Sequence, residues 1–226
     1  MKYKYQLHTH TAPTSKCAHT TPEQLAEALH AAGYAGCVLT NHFLHGNTGI
    51  RRELPWEEFV AAYERDYIEC KAAAEKYGLD ILFGIEEGVE GYDEILCYGL
   101  TPEMLYAHPE LRECSAETWY RVMHAMDVLV IQAHPYRASR HVPDPVPLPR
   151  AVIDGIEVYN DSHSPEYNEK AVRFAASHKD LILTAGADTH DAATVGRGGI
   201  ATDIRVADSR ALCALLRIGR YELLTP

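Results

Sequence analysis

Short apolar runs alternate with amphipathic stretches along the whole chain. "KYQLH" (4–8) and "AGCVLT" (35–40) have the length of strands. Between them, "TPEQLAEALHAAGY" (21–34) spaces its apolar residues as a helix does. Thr21 stands where an N-cap belongs, Pro22 at the first helical position and Gly33 near the stop. "PWEEFVAAYERDYIECKAAAEKYG" (55–78) predicts a long helix ending at Gly78. Strands follow at "DILFGIE" (80–86) and "EILCYGL" (94–100), a helix at "SAETWYRVMHAM" (115–126) and a strand at "DVLVIQAHP" (127–135). "HVPDPVPLPR" (141–150) is too rich in proline to be anything but loop. The pattern then gives a strand at 153–160, a helix at 164–179, a strand at 180–190, a helix at 206–219 and a short strand at 220–224.

Strands that alternate with helices point to parallel β/α units. About seven strands fit, which predicts an α/β fold: a distorted (β/α)7 TIM-like barrel forming a single domain over residues 1–226. No glycine-rich phosphate loop is present, so no nucleotide cofactor is expected. No apolar run reaches the length of a membrane span, and the N-terminus has no apolar leader segment, so a cytoplasmic protein is expected. Six scattered cysteines without a CxxC pair read as reduced thiols. A formal net charge of −11 argues against a surface that grips long nucleic acid, which needs Lys and Arg against phosphate.

Thirteen of the 226 residues are histidine, and their placement gives that count meaning. The first strand ends in His8 and His10 and the second in Thr40-Asn41-His42. The third ends in Glu86 or Glu87, the fifth in His134, the sixth in Glu157 and Asn160, and the seventh in Asp188-Thr189-His190. The strand at 94–100 begins with Glu94. In β/α barrels the site is built at the C-terminal ends of the strands. Residues two apart share one side of a strand, so His8 pairs with His10 and Asp188 with His190. Each pair alone is a weak signal, because single histidines at strand ends are commonly solvated. Imidazole or carboxylate at nearly every strand end is a different matter: buried together, such groups are costly without a cation. Mixed His and carboxylate donors suit Zn, Mn or Fe. His30, His124 and His178 fall within predicted helices and His108 and His141 in loops, where structural or surface roles are expected. His45 and His163 follow strand ends and are weaker candidates for the pocket wall.

The series "LHTHT", "VLTNH", "FGIEE", "QAHPYR", "IEVYN" and "AGADTHD", continuing into "VGRGGIAT", resembles the PHP family, the polymerase and histidinol phosphatase domains. The resemblance implies a distorted seven-stranded β/α barrel, two or three divalent metal ions and phosphoester hydrolysis. By that resemblance His8, His10, Glu86 and Asp188 form one metal site, His42 and His190 belong to a second, and Glu86 and His134 to a third. The family's next ligand falls in "TAPTSKCAHT", where His19 is preferred over Cys17. Glu94 stands where the family often has a histidine, and Asn41 where it has an aspartate.

The expected activity is a phosphatase acting on a small phosphomonoester, histidinol phosphate being one possibility, through a metal-activated hydroxide. His134, Arg137 and Arg197 are the candidate catalytic groups, the two arginines as phosphate-binding charges. Two alternatives stand beside it: a nuclease or nucleotide phosphatase on short oligonucleotides, and a metal-binding regulatory domain without turnover.

Overall fold

The computed structural model describes residues 2–225. The apolar runs form strands β1 (Tyr3–Gln6), β2 (Gly36–Leu39), β3 (Asp80–Gly88), β4 (Glu94–Tyr98), β5 (Leu129–Gln132), β6 (Gly155–Asn160) and β7 (Ile182–Gly186), with β8 (Gly199–Thr202) and β9 (Glu222–Leu224) at the end. Every residue of β2, β4 and β5 is buried, the mark of strands covered on both faces. All nine join one sheet in the order β7-β6-β5-β4-β3-β2-β1-β8-β9. The sheet curls until its ends meet. Thr9, just past β1, bridges in parallel to Thr189, just past β7. His10 N donates to Thr189 O at 2.9 Å, and Thr189 N to His8 O at 3.2 Å. The two predicted i,i+2 pairs are thereby laid side by side.

Two features depart from the expected parallel repeat. β4 runs antiparallel to both neighbours, β3 and β5. Only Val89–Asp93 separate β3 from β4, enough for a hairpin and too short for a parallel crossover. The reversal carries Glu94, the first residue of β4, to the same mouth as the last residues of the other strands. β8, which the apolar pattern did not mark, pairs antiparallel with β1 and carries β9 on its other edge. The approach of its entry to β7 is close: a Cβ on Gly198 would lie 2.5 Å from Gly186 O.

The helices are α1 (Pro22–Ala31), α2 (Trp56–Glu75), α3 (Pro102–Tyr106), α4 (Ala116–Ala125), α5 (Pro165–Ala176) and α6 (Ser209–Ile218). Thr21 and Gln24 close a capping box on α1. Gly219 ends α6 in the left-handed conformation at φ +67°, which favours glycine. None of the helices among the described residues is long and apolar enough to cross a membrane. The long α2 turns Phe59, Tyr63, Asp66 and Cys70 toward the barrel at helical spacing. Phe43 sits against that stripe, edge-on to Trp56, Phe59 and Tyr63 with ring centroids 5.1–5.9 Å apart. Inside the barrel, the Tyr98 hydroxyl donates to Leu7 O at 3.0 Å. Phe59 is fully buried in this core. Phe59→Ala is expected to cost about 3–5 kcal/mol. A lowered urea midpoint with an unchanged slope would report it, and an unchanged midpoint would contradict the packing described.

Candidate metal centre

The barrel mouth brings six chain segments to one point. Glu86 of β3 lies at its centre. One carboxylate oxygen is 3.0 Å from His8 Nε2 and 3.2 Å from His134 Nε2; the other is 2.9 Å from His42 Nδ1 and 3.3 Å from His10 Nε2. Asp188 Oδ1 stands 3.4 Å from His8 Nε2, 3.2 Å from His10 Nε2 and 3.4 Å from His190 Nδ1. Glu94 Oε1 is 3.1 Å from His42 Nδ1. Asp188 and His134 both adopt positive φ, +49° and +25°, a conformation uncommon for residues with a side chain. Such backbone strain persists where surrounding contacts over-determine it.

Most of the ring nitrogens turned away from the centre are held. Ser15 Oγ gives its proton to Asn41 Oδ1 at 2.8 Å, so the 3.1 Å contact between His10 Nδ1 and Ser15 Oγ is donated by the imidazole. His8 Nδ1 donates to Glu157 at 3.1 Å and His134 Nδ1 to Asp93 at 3.0 Å. His190 Nδ1 faces the backbone oxygen of Asp188 at 2.9 Å. Fixing one nitrogen this way leaves the other as a ligand with a set direction. Glu157 does more than hold His8: it also accepts from His134 N and Asn160 Nδ2. Gly186 makes room for it, since a Cβ there would lie 2.2 Å from Glu157 Oε1.

Five of the inward-facing atoms are left without hydrogen bonds. His8 Nε2, His10 Nε2, His42 Nδ1, Glu86 Oε2 and Asp188 Oδ1 are all buried and unpartnered. Buried polar atoms are ordinarily satisfied, and five convergent exceptions are what a cation would complete. Three or more ligand atoms lie within 4.8 Å of one another in His10–His42–His190, in His8–His10–Asp188, in His8–Glu86–His134 and in His42–Glu86–Glu94. The donor set therefore fits divalent metal.

The charges are strongly coupled. Burial opposes charge on His8, but Asp188, Glu86 and Glu157 hold its pKa well above the ordinary value. Burial likewise opposes charge on His42, and Glu86 overrides it. At His134, burial and Arg137 act against the proton, yet Asp93 and Glu86 lift the pKa to about 10. Burial and the neighbouring His42 pull His10 down to about 3. Burial disfavours the Cys17 thiolate, but His190 and His42 lower the thiol to about 6.

His19, preferred over Cys17 on sequence, does not join this cluster. Its backbone N donates to His190 O at 2.8 Å and its side chain is exposed. That bond turns the loop so that Cys17 faces inward, with Sγ 3.0 Å from His190 Nε2. Arg197 also lies outside: it is exposed and reaches Asp161 at 3.5 Å. Arg137 is at the mouth, paired with Asp93 and Glu94. His163, a weak candidate on sequence, comes within 3.3 Å of Asp188 Oδ2. Asp66 was not singled out at all. It accepts from Asn41 Nδ2 and Thr11 Oγ1, both at 2.5 Å, and so anchors the loop that carries Cys17. Its signal was a carboxylate on the apolar stripe of α2. The helical and surface histidines stack or pair locally, as His30 does on Tyr77 and His178 on Phe174.

The cluster floors a cavity of about 1350 Å³, which exceeds what a small phosphate ester fills. Its walls come from the β3–β4 hairpin, the 114–119 segment with Trp119, and the 139–142 loop with His141; His45 lies on the rim.

The family described as PHP-associated matches residues 165–221, a span from α5 to just past α6 that includes Asp188 and His190. The fold is shared with a two-domain protein of Bacteroides vulgatus containing a predicted PHP-like metal-dependent phosphoesterase, at TM-score 0.72 and 15% identity. All of this chain is covered in that match, against 65% of the neighbour, so the chain spans about two thirds of its length. An amidohydrolase of Chromobacterium violaceum with bound sulfate shares the fold at TM-score 0.60 and 17% identity, with 97% of each chain covered. The lesion-specific endonuclease of Pyrococcus furiosus does so at TM-score 0.65 and 14% identity, covering 99% of this chain and 58% of that one. No curated protein sequence matches the chain. The matched segment thus covers part of the chain, and what the solved structures share with it is the barrel fold.

His8, His42 and His134 hold their protons at neutral pH in the metal-free chain, because their pKa values are raised. Metal binding must then release protons. Apparent affinity for Zn²⁺ or Mn²⁺ is expected to rise from about pH 6 to 8, by about tenfold per pH unit for each proton released. Titration calorimetry in buffers of different ionisation enthalpy counts those protons; a pH-independent affinity would contradict the assigned charges.

Proposed function

From a PHP-type barrel with these donors at its mouth, we propose that the chain is a metal-dependent phosphoesterase that hydrolyses a small phosphomonoester. The convergence of unpartnered histidine and carboxylate atoms at the floor of an open cavity carries the reading. His8, His10, Glu86, His134 and Asp188 would hold one part of the metal complement. His42, His190 and Cys17 would hold the other, with Glu86 reaching toward both. When bound, divalent ions supply Lewis acidity that neutralises phosphoryl charge and makes water acidic near neutral pH.

The chain's own groups do the rest. Asp93 and Glu157 keep His134 and His8 turned inward through their Nδ1 protons. Ser15 and Asn41 do the same for His10, and Asp66 fixes Asn41. Arg137 lines the cavity and adds a permanent positive charge beside the cluster. Arg197, placed away from the cluster, is not assigned a part.

The rest of the cavity favours few negative charges on the substrate. Glu87, Glu90, Asp93 and Glu94 line it, and Arg52 on the same wall spends its guanidinium on Leu44 O and Gly46 O. A long polyanion would meet these carboxylates away from the metals. The cavity's breadth and the fold shared with an endonuclease support the second reading, a nuclease or nucleotide phosphatase on short oligonucleotides.

Glu86→Ala and Asp188→Ala are each expected to lower bound metal and to reduce p-nitrophenyl phosphate hydrolysis by roughly 10²-fold or more. Elemental analysis and rate should fall together; either variant fully active without metal would sink the scheme. Histidinol phosphate, mononucleotides and short oligonucleotides, tested side by side on the metal-loaded protein, separate the two readings. Turnover of none of these would leave a metal-binding domain without hydrolysis.

A further inference from the structure

We infer that this centre takes two divalent ions and not three, because the guanidinium of Arg137 already neutralises Glu94, the carboxylate that a third ion would need. The inference rests on the metal-dependent reading above and fixes the size of the complement. Donors converge around three foci: one where His8, Glu86, His134 and Asp188 meet, one formed by His42 and His190 with Cys17, and one where Glu94 joins His42 and Glu86, with His10 common to the first two. At the third focus Glu94 already has a cationic partner on its second oxygen, while Oε1 faces His42 Nδ1 at 3.1 Å. Glu94 Oε2 accepts from Arg137 Nη2 at 2.7 Å, and the same oxygen is 3.7 Å from His134 Nε2. A divalent ion shared by that oxygen and that nitrogen would stand against the guanidinium.

Arg137 cannot yield by losing its proton, since guanidinium stays charged in proteins. Moving it aside is also costly. Its Nε donates to Asp93 Oδ2 at 2.7 Å while Nη2 reaches Asp93 Oδ1, a two-pronged grip on a carboxylate only 8% exposed. Displacement would leave that buried charge with one partner fewer. It would also loosen His134, whose Nδ1 donates to the same Asp93 oxygen. The arginine thus balances Glu94 and, through Asp93, orients a ligand of the neighbouring focus. A histidine at position 94 would offer no anion for the guanidinium; the glutamate and the arginine are complementary.

The test is the metal content of the full chain, loaded with excess Mn²⁺ or Zn²⁺, desalted and measured by elemental analysis. Wild type is expected to hold two ions per chain, and Arg137→Met, which removes the charge beside Glu94 and Asp93, three. Arg137→Lys keeps one positive charge and should stay at two. Three ions in wild type or in Arg137→Lys would overturn the inference, and so would a folded Arg137→Met that stops at two. Circular dichroism establishes folding; where Arg137→Met does not fold, the wild-type and Arg137→Lys counts decide. Wild type that takes up one ion or none overturns the two-ion centre and the metal-dependent reading with it, whereas three ions leaves that reading standing.

Discussion

Burying so many ionisable groups at one barrel mouth is the constraint to which the rest of the structure answers. Four imidazoles and two carboxylates sit within hydrogen-bonding distance of one another at His8, His10, His42, His134, Glu86 and Asp188, nearly out of reach of water. Such a group of charges is unfavourable in a low-dielectric interior unless each is paired or bound to metal. The surrounding fold leaves five of their atoms without a hydrogen bond. Outer nitrogens are committed to Ser15, Glu157, Asp93 and the Asp188 carbonyl, so the inner nitrogens have only the centre to face. Strained φ at His134 and Asp188 and the missing side chain at Gly186 belong to the same arrangement.

Much of this was legible in the chain because it follows from local periodicity. A strand of alternating faces places His8 beside His10, and a barrel places strand ends together. Neither statement needs tertiary knowledge. The orientation of β4 follows from the length of Val89–Asp93, which is too short for a parallel crossover. β8 was not legible: four residues after a pair of glycines show no usable period. The choice between Cys17 and His19 also lay beyond the pattern. It depends on one hydrogen bond from His19 N to His190 O, which joins segments far apart in sequence. Arg197 failed for a similar reason. A basic residue near a motif says nothing about which way its loop turns, and here it turns to Asp161.

Two departures from the family pattern have spatial answers from elsewhere in the chain. Asn41 lacks the charge of an aspartate, yet Asp66 brings a carboxylate to it from α2, and the pair together hold Thr11 and Ser15. Glu94 lacks the imidazole of a histidine, yet Arg137 brings a cation to it from beyond β5. A change of ligand type in one strand is thus matched by a residue that no local window connects to it.

The acidity of the cavity then bears on how substrate and metal depend on one another. Glu87, Glu90, Asp93 and Glu94 give the walls a negative field, and the chain as a whole carries −11. A phosphate ester approaching the protein without metal meets these carboxylates, and of the positive groups in the cavity Arg137 is already engaged by two of them. On the proposed function, divalent ions at the floor would reverse the sign of the potential there and leave the walls acidic. The field would then draw one phosphate to the floor and discourage further phosphates along the walls. A fold shared with an endonuclease need not bring that enzyme's substrate with it, because function lies in the lining of the site and not in the fold.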